Sequence, residues 1–268
     1  MVEERLDRLD VGEGRAARDI AIRSFPGNAP GIFWLGGFRS DMKGTKAEAL
    51  AEHARKTGRA YTRFDYSGHG ESGGDFKDGT ISRWAEEARA VFARVTGPQI
   101  VVGSSMGGWI ALLLAQVLLS ARAPQNEPSA KARLKGMVLI APAPDFTEAL
   151  MWPQLSEDAR RDVMEKGFWL RPSEYGDGPY PLTRALFEDG RNNLLLDKPL
   201  QTGCPVRVLQ GVADPDVPYR HALKLVTCFA QDDVELTLIK DGDHRLSRPE
   251  DLERLMQAVD ELASDPSS

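Results

Sequence analysis

A chain of 268 residues is long for one average domain and ordinary for an architecture built on a single large sheet. Hydrophobic residues at 41% and charged residues at 28% supply a large core and a wet surface, which argues against a disordered chain. With 34 Lys and Arg against 40 Asp and Glu, a net charge of -6 and no basic block, nucleic acid is not expected as a partner. In chain order, short apolar runs rich in Val, Ile and Leu predict strands over 19–24, 31–35, 60–65, 99–103, 136–141, 205–211 and 234–240. Helical periodicity lies between them over 44–57, 81–95, 106–120, 219–229 and 249–263. This alternation predicts an α/β class, a mostly parallel twisted sheet flanked by helices. The turn Phe25-Pro26-Gly27-Asn28 predicts an antiparallel hairpin joining the first two strands at the sheet edge.

One stretch breaks the alternation. From 142 to 199 no strand pattern is visible, and Pro153, Pro172, Pro179 and Pro181 punctuate short helical pieces, so it reads as a lid or cap insertion within a single domain spanning 1–268. It carries Trp152, Phe168, Trp169, Tyr175, Tyr180 and Phe187. These aromatics suit a cover over a pocket and equally the private core of a small helical subdomain. Residues 121–132 read as an exposed loop. Cys204 and Cys228 have neither disulfide-scaffold nor metal-ligand spacing and are expected as reduced thiols. The acidic opening is unlike a signal or transit peptide, and the longest apolar run, 109–119 with Gln116 inside it, is too short to span a bilayer. A soluble cytoplasmic protein with no membrane span is the expectation, its oligomeric state left open.

The segment Gly103-Ser104-Ser105-Met106-Gly107 matches G-x-S-x-G between an apolar strand and a helix. The glycines relieve crowding at a sharp strand-to-helix turn, and the helix N-terminus favours developing negative charge. Ser105 is therefore the candidate nucleophile and Ser104 its neighbour outside the glycine frame. Acyl transfer also needs amide donors for an oxyanion, usually the N–H after the nucleophile and one from the loop after an early strand. Trp34-Leu35-Gly36-Gly37-Phe38 offers that loop, making the backbone amides of Phe38 and Met106 the predicted oxyanion hole.

Of the 4 histidines, His244 follows the last strand, where a base in the order Ser, acid, His belongs. His53 falls inside an exposed helix, His221 starts another, and His69 lies in a glycine-rich loop expected to pack beneath the site. Two acids compete to orient the base: Asp214, after the penultimate strand and favoured, and Asp145, after the strand before the insertion. Asp216 reads as a turn or capping residue. Gly37, Arg39, Trp152 and Trp169 are the predicted substrate contacts. Leu194-Leu195-Leu196 suits an apolar acyl chain, while Arg39, Arg171 and Arg184 suit a carboxylated leaving group.

Three segments, Gly36-Gly37-Phe38-Arg39-Ser40-Asp41-Met42-Lys43-Gly44-Thr45-Lys46-Ala47, Phe64-Asp65-Tyr66-Ser67-Gly68-His69-Gly70 and Gly103-Ser104-Ser105-Met106-Gly107-Gly108-Trp109, carry a family resemblance. Together they resemble the α/β-hydrolase family of the mitochondrial palmitoyl-protein thioesterase also described as an acyl-glucuronide esterase, with its bacterial relatives. The resemblance implies the α/β-hydrolase fold, a triad of Ser105, Asp214 and His244, a small-molecule or acylated substrate, and no cofactor or metal. The expected reaction is ester or thioester hydrolysis through an acyl-Ser105 intermediate. A serine peptidase, a cofactor-free perhydrolase or haloperoxidase, and a non-catalytic binding module are the alternatives.

Overall fold

The computed structural model describes residues 3–120, 133–172 and 178–264. The predicted loop 121–132 and Tyr175 lie outside them. An eight-stranded sheet runs in the order β1-β2-β4-β3-β5-β6-β9-β10. Its strands are β1 (Arg5–Val11), β2 (Arg18–Phe25), β3 (Asn28–Leu35), β4 (Arg59–Phe64), β5 (Gln99–Ser104), β6 (Leu134–Ile140), β9 (Val206–Gly211) and β10 (Val234–Ile239). From β4 to β10 all neighbours pair in parallel, while β1 with β2 and β2 with β4 are antiparallel. The helices are α1 (Thr45–Thr57), α2 (Ile81–Arg94), α3 (Met106–Ser120), α4 (Glu157–Lys166), α5 (Arg184–Asn192), α6 (Tyr219–Cys228) and α7 (Pro249–Ser264). The α/β class and the predominantly parallel sheet follow the sequence expectation.

Alternation along the central strands explains the two cores. Ile32 and Trp34 of β3, with Ile100 and Val102 of β5, face the helices α1 and α7 and pack with Leu50, Ala54, Leu255 and Val259. Phe33, Leu35 and Val101 face the other way, into a cluster with Trp84 and Phe92 of α2 and Ile110 of α3. Strands covered on both sides must be apolar throughout, hence the unbroken runs in the sequence. Helix α3 is buried around most of its circumference from Met106 to Ala115, which accounts for its nearly all-apolar composition.

Three expectations are corrected. The predicted hairpin does not form: β4 lies between β2 and β3, because the doubly buried β3 needs neighbours covered on both faces, which an edge position cannot supply. The strand at that edge is β1, which has no strand signal because Arg5-Leu6-Asp7-Arg8-Leu9-Asp10-Val11 is mostly polar and is held by its ladder with β2 rather than by burial. The segment 142–199 is not free of strands. Phe168–Arg171 (β7) and Tyr180–Thr183 (β8) form a two-stranded antiparallel sheet, each only four residues long and with Pro181 opposite Leu170. Strands so short carry no readable period.

Candidate active site

Ser105 sits between the end of β5 and the start of α3 with φ of 54°, a left-handed backbone that side chains seldom adopt. The turn is possible because its flanks are bare: a Cβ on Gly103 would collide with the Gly107 backbone, and one on Gly107 with the Leu35 carbonyl. The serine is anchored from the sheet by its own N–H, which donates to the Ile140 carbonyl at 2.9 Å.

The side chain of Ser105 donates through Oγ to His244 Nε2 at 3.1 Å, and His244 Nδ1 donates to Asp214 Oδ2 at 2.8 Å. These three residues come from the ends of β5, β9 and β10, all at the carboxyl edge of the sheet, where parallel strands present their loops. The carboxylate of Asp214 is fully buried while His244 retains 23% side-chain exposure. Asp214 also accepts from the amides of Asp216 and Val217, both at 2.8 Å, and from Gln210 Nε2 at 3.3 Å. Asp145 is engaged elsewhere. It accepts from the amides of Leu195 and Leu196 at 2.8 and 2.9 Å, and burial pushes its carboxyl above the usual range. Asp214, Asp216 and His244 are also the one group among the described residues with metal-ligand atoms within 4.8 Å of one another. The Asp214 oxygens and both ring nitrogens are already committed to the hydrogen bonds above.

The glycine loop approaches the nucleophile closely. A Cβ on Gly37 would stand 3.5 Å from the Ser105 Cβ and 3.4 Å from the Ser104 carbonyl oxygen. Gly37 O accepts from Ser40 N at 3.1 Å, closing a turn with Phe38 and Arg39 at its centre. The Phe38 ring packs on Phe76, Trp84, Phe146 and Tyr180, at centroid distances of 5.1 to 6.2 Å. The Arg39 guanidinium lies 4.0 Å over the Tyr180 ring. Phe146 and Tyr180, both from the 142–199 segment, thus border the turn beside Ser105.

The other predicted contacts lie elsewhere. Trp152 meets Phe187 edge-on at 5.0 Å, with Arg160 and Arg191 over its ring, all within the insertion. Trp169 is half-buried in β7, opposite Leu182. Leu195 and Leu196 belong to the main core and offer no surface to an acyl chain, a correction whose cause is the Asp145 anchor that pulls their backbone inward. Arg184 pairs with Glu188 at 3.4 Å on α5. His53 pairs with Asp260 at 2.9 Å, and His221 donates to the Pro144 carbonyl at 2.7 Å.

Two contacts behind the site had no signal in local spacing. Lys46 of α1 donates to the carbonyl of Arg245, the residue after His244, and burial lowers its ammonium to about 8. His69 accepts from the Arg39 amide at 3.1 Å. The sandwiching of His69 between Gly68 and Gly70 was its only mark.

A model of the alpha/beta hydrolase family matches residues 27–256. The mitochondrial palmitoyl-protein thioesterase ABHD10 of Bos taurus is 33% identical over 246 residues, covering 91% of this chain and 76% of the relative. A putative hydrolase from Agrobacterium vitis S4 is 50% identical and superposes with a TM-score of 0.92 over 98% of this chain and 100% of its own. Mouse alpha/beta hydrolase domain-containing protein 10 gives 0.82 at 30% identity, over 96% and 98%. The curated relatives are named as mitochondrial proteins, which overturns the expectation of a cytoplasmic one. Arg5, Leu6 and Asp7 of the acidic opening belong to the solvent-facing strand β1, so their charges answer to the surface and not to a compartment. Among the described residues no helix is long and apolar enough to cross a membrane.

Proposed function

The chain belongs to the alpha/beta hydrolase family and is an ester or thioester hydrolase, and on that premise we propose that Ser105 is its nucleophile, His244 its general base and Asp214 the acid that orients the base. The observation that carries this reading is the unbroken hydrogen-bond relay from Ser105 Oγ through both His244 nitrogens to Asp214. In the first step His244 Nε2 takes the proton as Oγ attacks the acyl carbonyl, and the imidazolium returns it to the departing alcohol or thiol. In the second, His244 deprotonates water, which attacks the acyl-serine and releases the acid. The backbone amides of Phe38 and Met106 hold the oxyanion, the second from the first residue of α3.

The acyl group enters beneath the 142–199 segment, which acts as the cap, with Gly37 and Arg39 nearest the reacting carbon and Trp152 and Trp169 set back within the cap. The names of the curated relatives favour an S-acylated protein or a smaller acyl thioester as substrate. Hydrolysis of p-nitrophenyl esters and acyl thioesters of graded chain length, with fluorophosphonate labelling, tests the reading in wild type and Ser105→Ala. Labelling and turnover are expected to vanish together in a folded Ser105→Ala protein, with kcat down by about 10⁴ or more. A wild type that neither labels nor turns over any of them overturns it.

A further inference from the structure

We propose that His69 is a positioning residue for the oxyanion hole: in its neutral form it accepts a hydrogen bond that locks the turn carrying Phe38. The inference rests on the hydrolase reading above and adds a residue which that mechanism does not use.

The turn Gly37–Ser40 has Arg39 at its third position with φ of 57°. That place in such a turn normally falls to glycine, because a Cβ disfavours a positive φ. An arginine there needs an outside hold, and the Arg39 N–H donates to His69 Nε2 at 3.1 Å. The held peptide directly follows the Phe38 donor residue, and the same turn lies against the Ser105 Cβ through Gly37. A rotation of this peptide therefore shifts the amide aimed at the oxyanion.

The surroundings of His69 leave it one protonation state. Its Nδ1 faces the Ser67 carbonyl at 3.2 Å, which can only accept, so Nδ1 carries the hydrogen and Nε2 is bare. Ser67 is itself fixed, its N–H donating to the buried Glu87 at 2.9 Å and its carbonyl accepting from Trp84 Nε1 at 3.2 Å. The imidazole is 5% exposed and lies among the rings of Tyr66, Phe76 and Trp84, at centroid distances of 5.2 to 5.9 Å. Phe76 and Trp84 also pack against the Phe38 ring, so one aromatic cluster supports both the histidine and the turn it holds. Burial lowers the imidazole to about 4, which keeps Nε2 an acceptor at neutral pH.

The test compares wild type with His69→Phe, which keeps the ring and removes the acceptor, and His69→Gln, which returns an acceptor near the Nε2 position. The readouts are kcat, KM, thermal midpoint and the affinity of an alkylboronic acid, whose tetrahedral adduct on Ser105 places an oxygen at the oxyanion amides. His69→Phe is expected to lower kcat by about 10–100-fold, short of the ~10²–10³ for deleting a donor outright. KM should stay within about twofold, boronic acid affinity should fall in step with kcat, and His69→Gln should recover most of the loss. A folded His69→Phe with wild-type kcat and boronic acid affinity overturns the inference. So does an equal loss in both variants that merely tracks the thermal midpoint. Nitrogen NMR of the wild type needs no variant to fold: a proton on Nε2 at neutral pH sinks the idea, and a bare Nε2 supports it. If wild type takes neither fluorophosphonate nor boronic acid at Ser105, the hydrolase mechanism falls and this inference with it. A wild type that labels beside an unaffected His69→Phe removes the inference alone.

Discussion

Asp214 and Asp145 are both buried, both follow a sheet strand, and both accept two backbone amides, yet of the two only Asp214 is hydrogen-bonded to His244. The amides of Asp216 and Val217 converge on its Oδ1, while Oδ2 meets Gln210 Nε2 and the imidazole, which fixes the tautomer that presents Nε2 to Ser105. Asp145 uses one oxygen on each of Leu195 and Leu196, so its work is to tie the far end of the insertion to the sheet. The two substitutions should therefore separate by readout. Asp214→Asn is expected to keep the thermal midpoint within a few degrees while kcat drops by about 10³–10⁴, since the amide favours the wrong tautomer. Asp145→Ala should do the reverse, costing roughly 1–3 kcal/mol in urea denaturation for each buried amide left unpaired, with kcat per folded molecule largely kept. A collapse of kcat in folded Asp145→Ala would reverse the assignment of the acid.

At the scale of elements, strand β1 shows how a weakly apolar segment is retained. Its seven ladder pairs with β2 cover an edge that would otherwise expose unpaired backbone groups to other chains. Just before it, Glu4 reaches Arg63 of β4 at 2.9 Å, and the Arg63 side chain is only 3% exposed. Glu48 and the Met42 carbonyl complete that guanidinium's shell. Removing residues 1–11 takes away both the cover and a partner of a buried charge. Stability is expected to fall by about 3–5 kcal/mol in urea denaturation, as when one partner of a buried pair is lost. Size-exclusion chromatography should show self-association through the bared β2 edge. A truncated chain that stays monomeric with an unchanged urea midpoint contradicts this account of β1.

The whole molecule inherits a pH dependence from the buried histidine behind the site. His69 titrates at about 4 in the folded state, chiefly through burial and then through the nearby Arg39 charge, against 6.5 for an exposed imidazole. Between those values the unfolded chain binds a proton that the folded one refuses, so stability rises with pH across this window and falls as pH drops through it. The gap corresponds to about 3 kcal/mol, lost progressively from about pH 6.5 down to about pH 4 and constant below. His221, lowered by its own burial, acts in the same direction, whereas the raised carboxyls of Asp65 and Asp145 oppose it. Comparing wild type with His69→Gln at each pH cancels those other groups. The difference between them should narrow in favour of the variant as pH falls from about 7 to about 4, and parallel curves would rule the effect out.

By itself the sequence determined whatever depends on a few consecutive residues: the alternation of apolar strands with helices, the glycine-framed serine, and the place of His244 after the last strand. Those features act through local sterics and periodicity, so they are written in the order of neighbours. Only the tertiary structure decided what depends on distant segments meeting. Ser105 and His244 are 139 positions apart and Asp214 and His244 30, and the choice of Asp214 over Asp145 turns on which loop brings its carboxylate to the imidazole. The insertion of β4 between β2 and β3 and the retention of polar β1 come from competition among strands for neighbours, which no single strand's sequence encodes. The same holds for His69, whose partner amide lies 30 positions earlier on a turn that becomes its neighbour only when β3 and β4 pair.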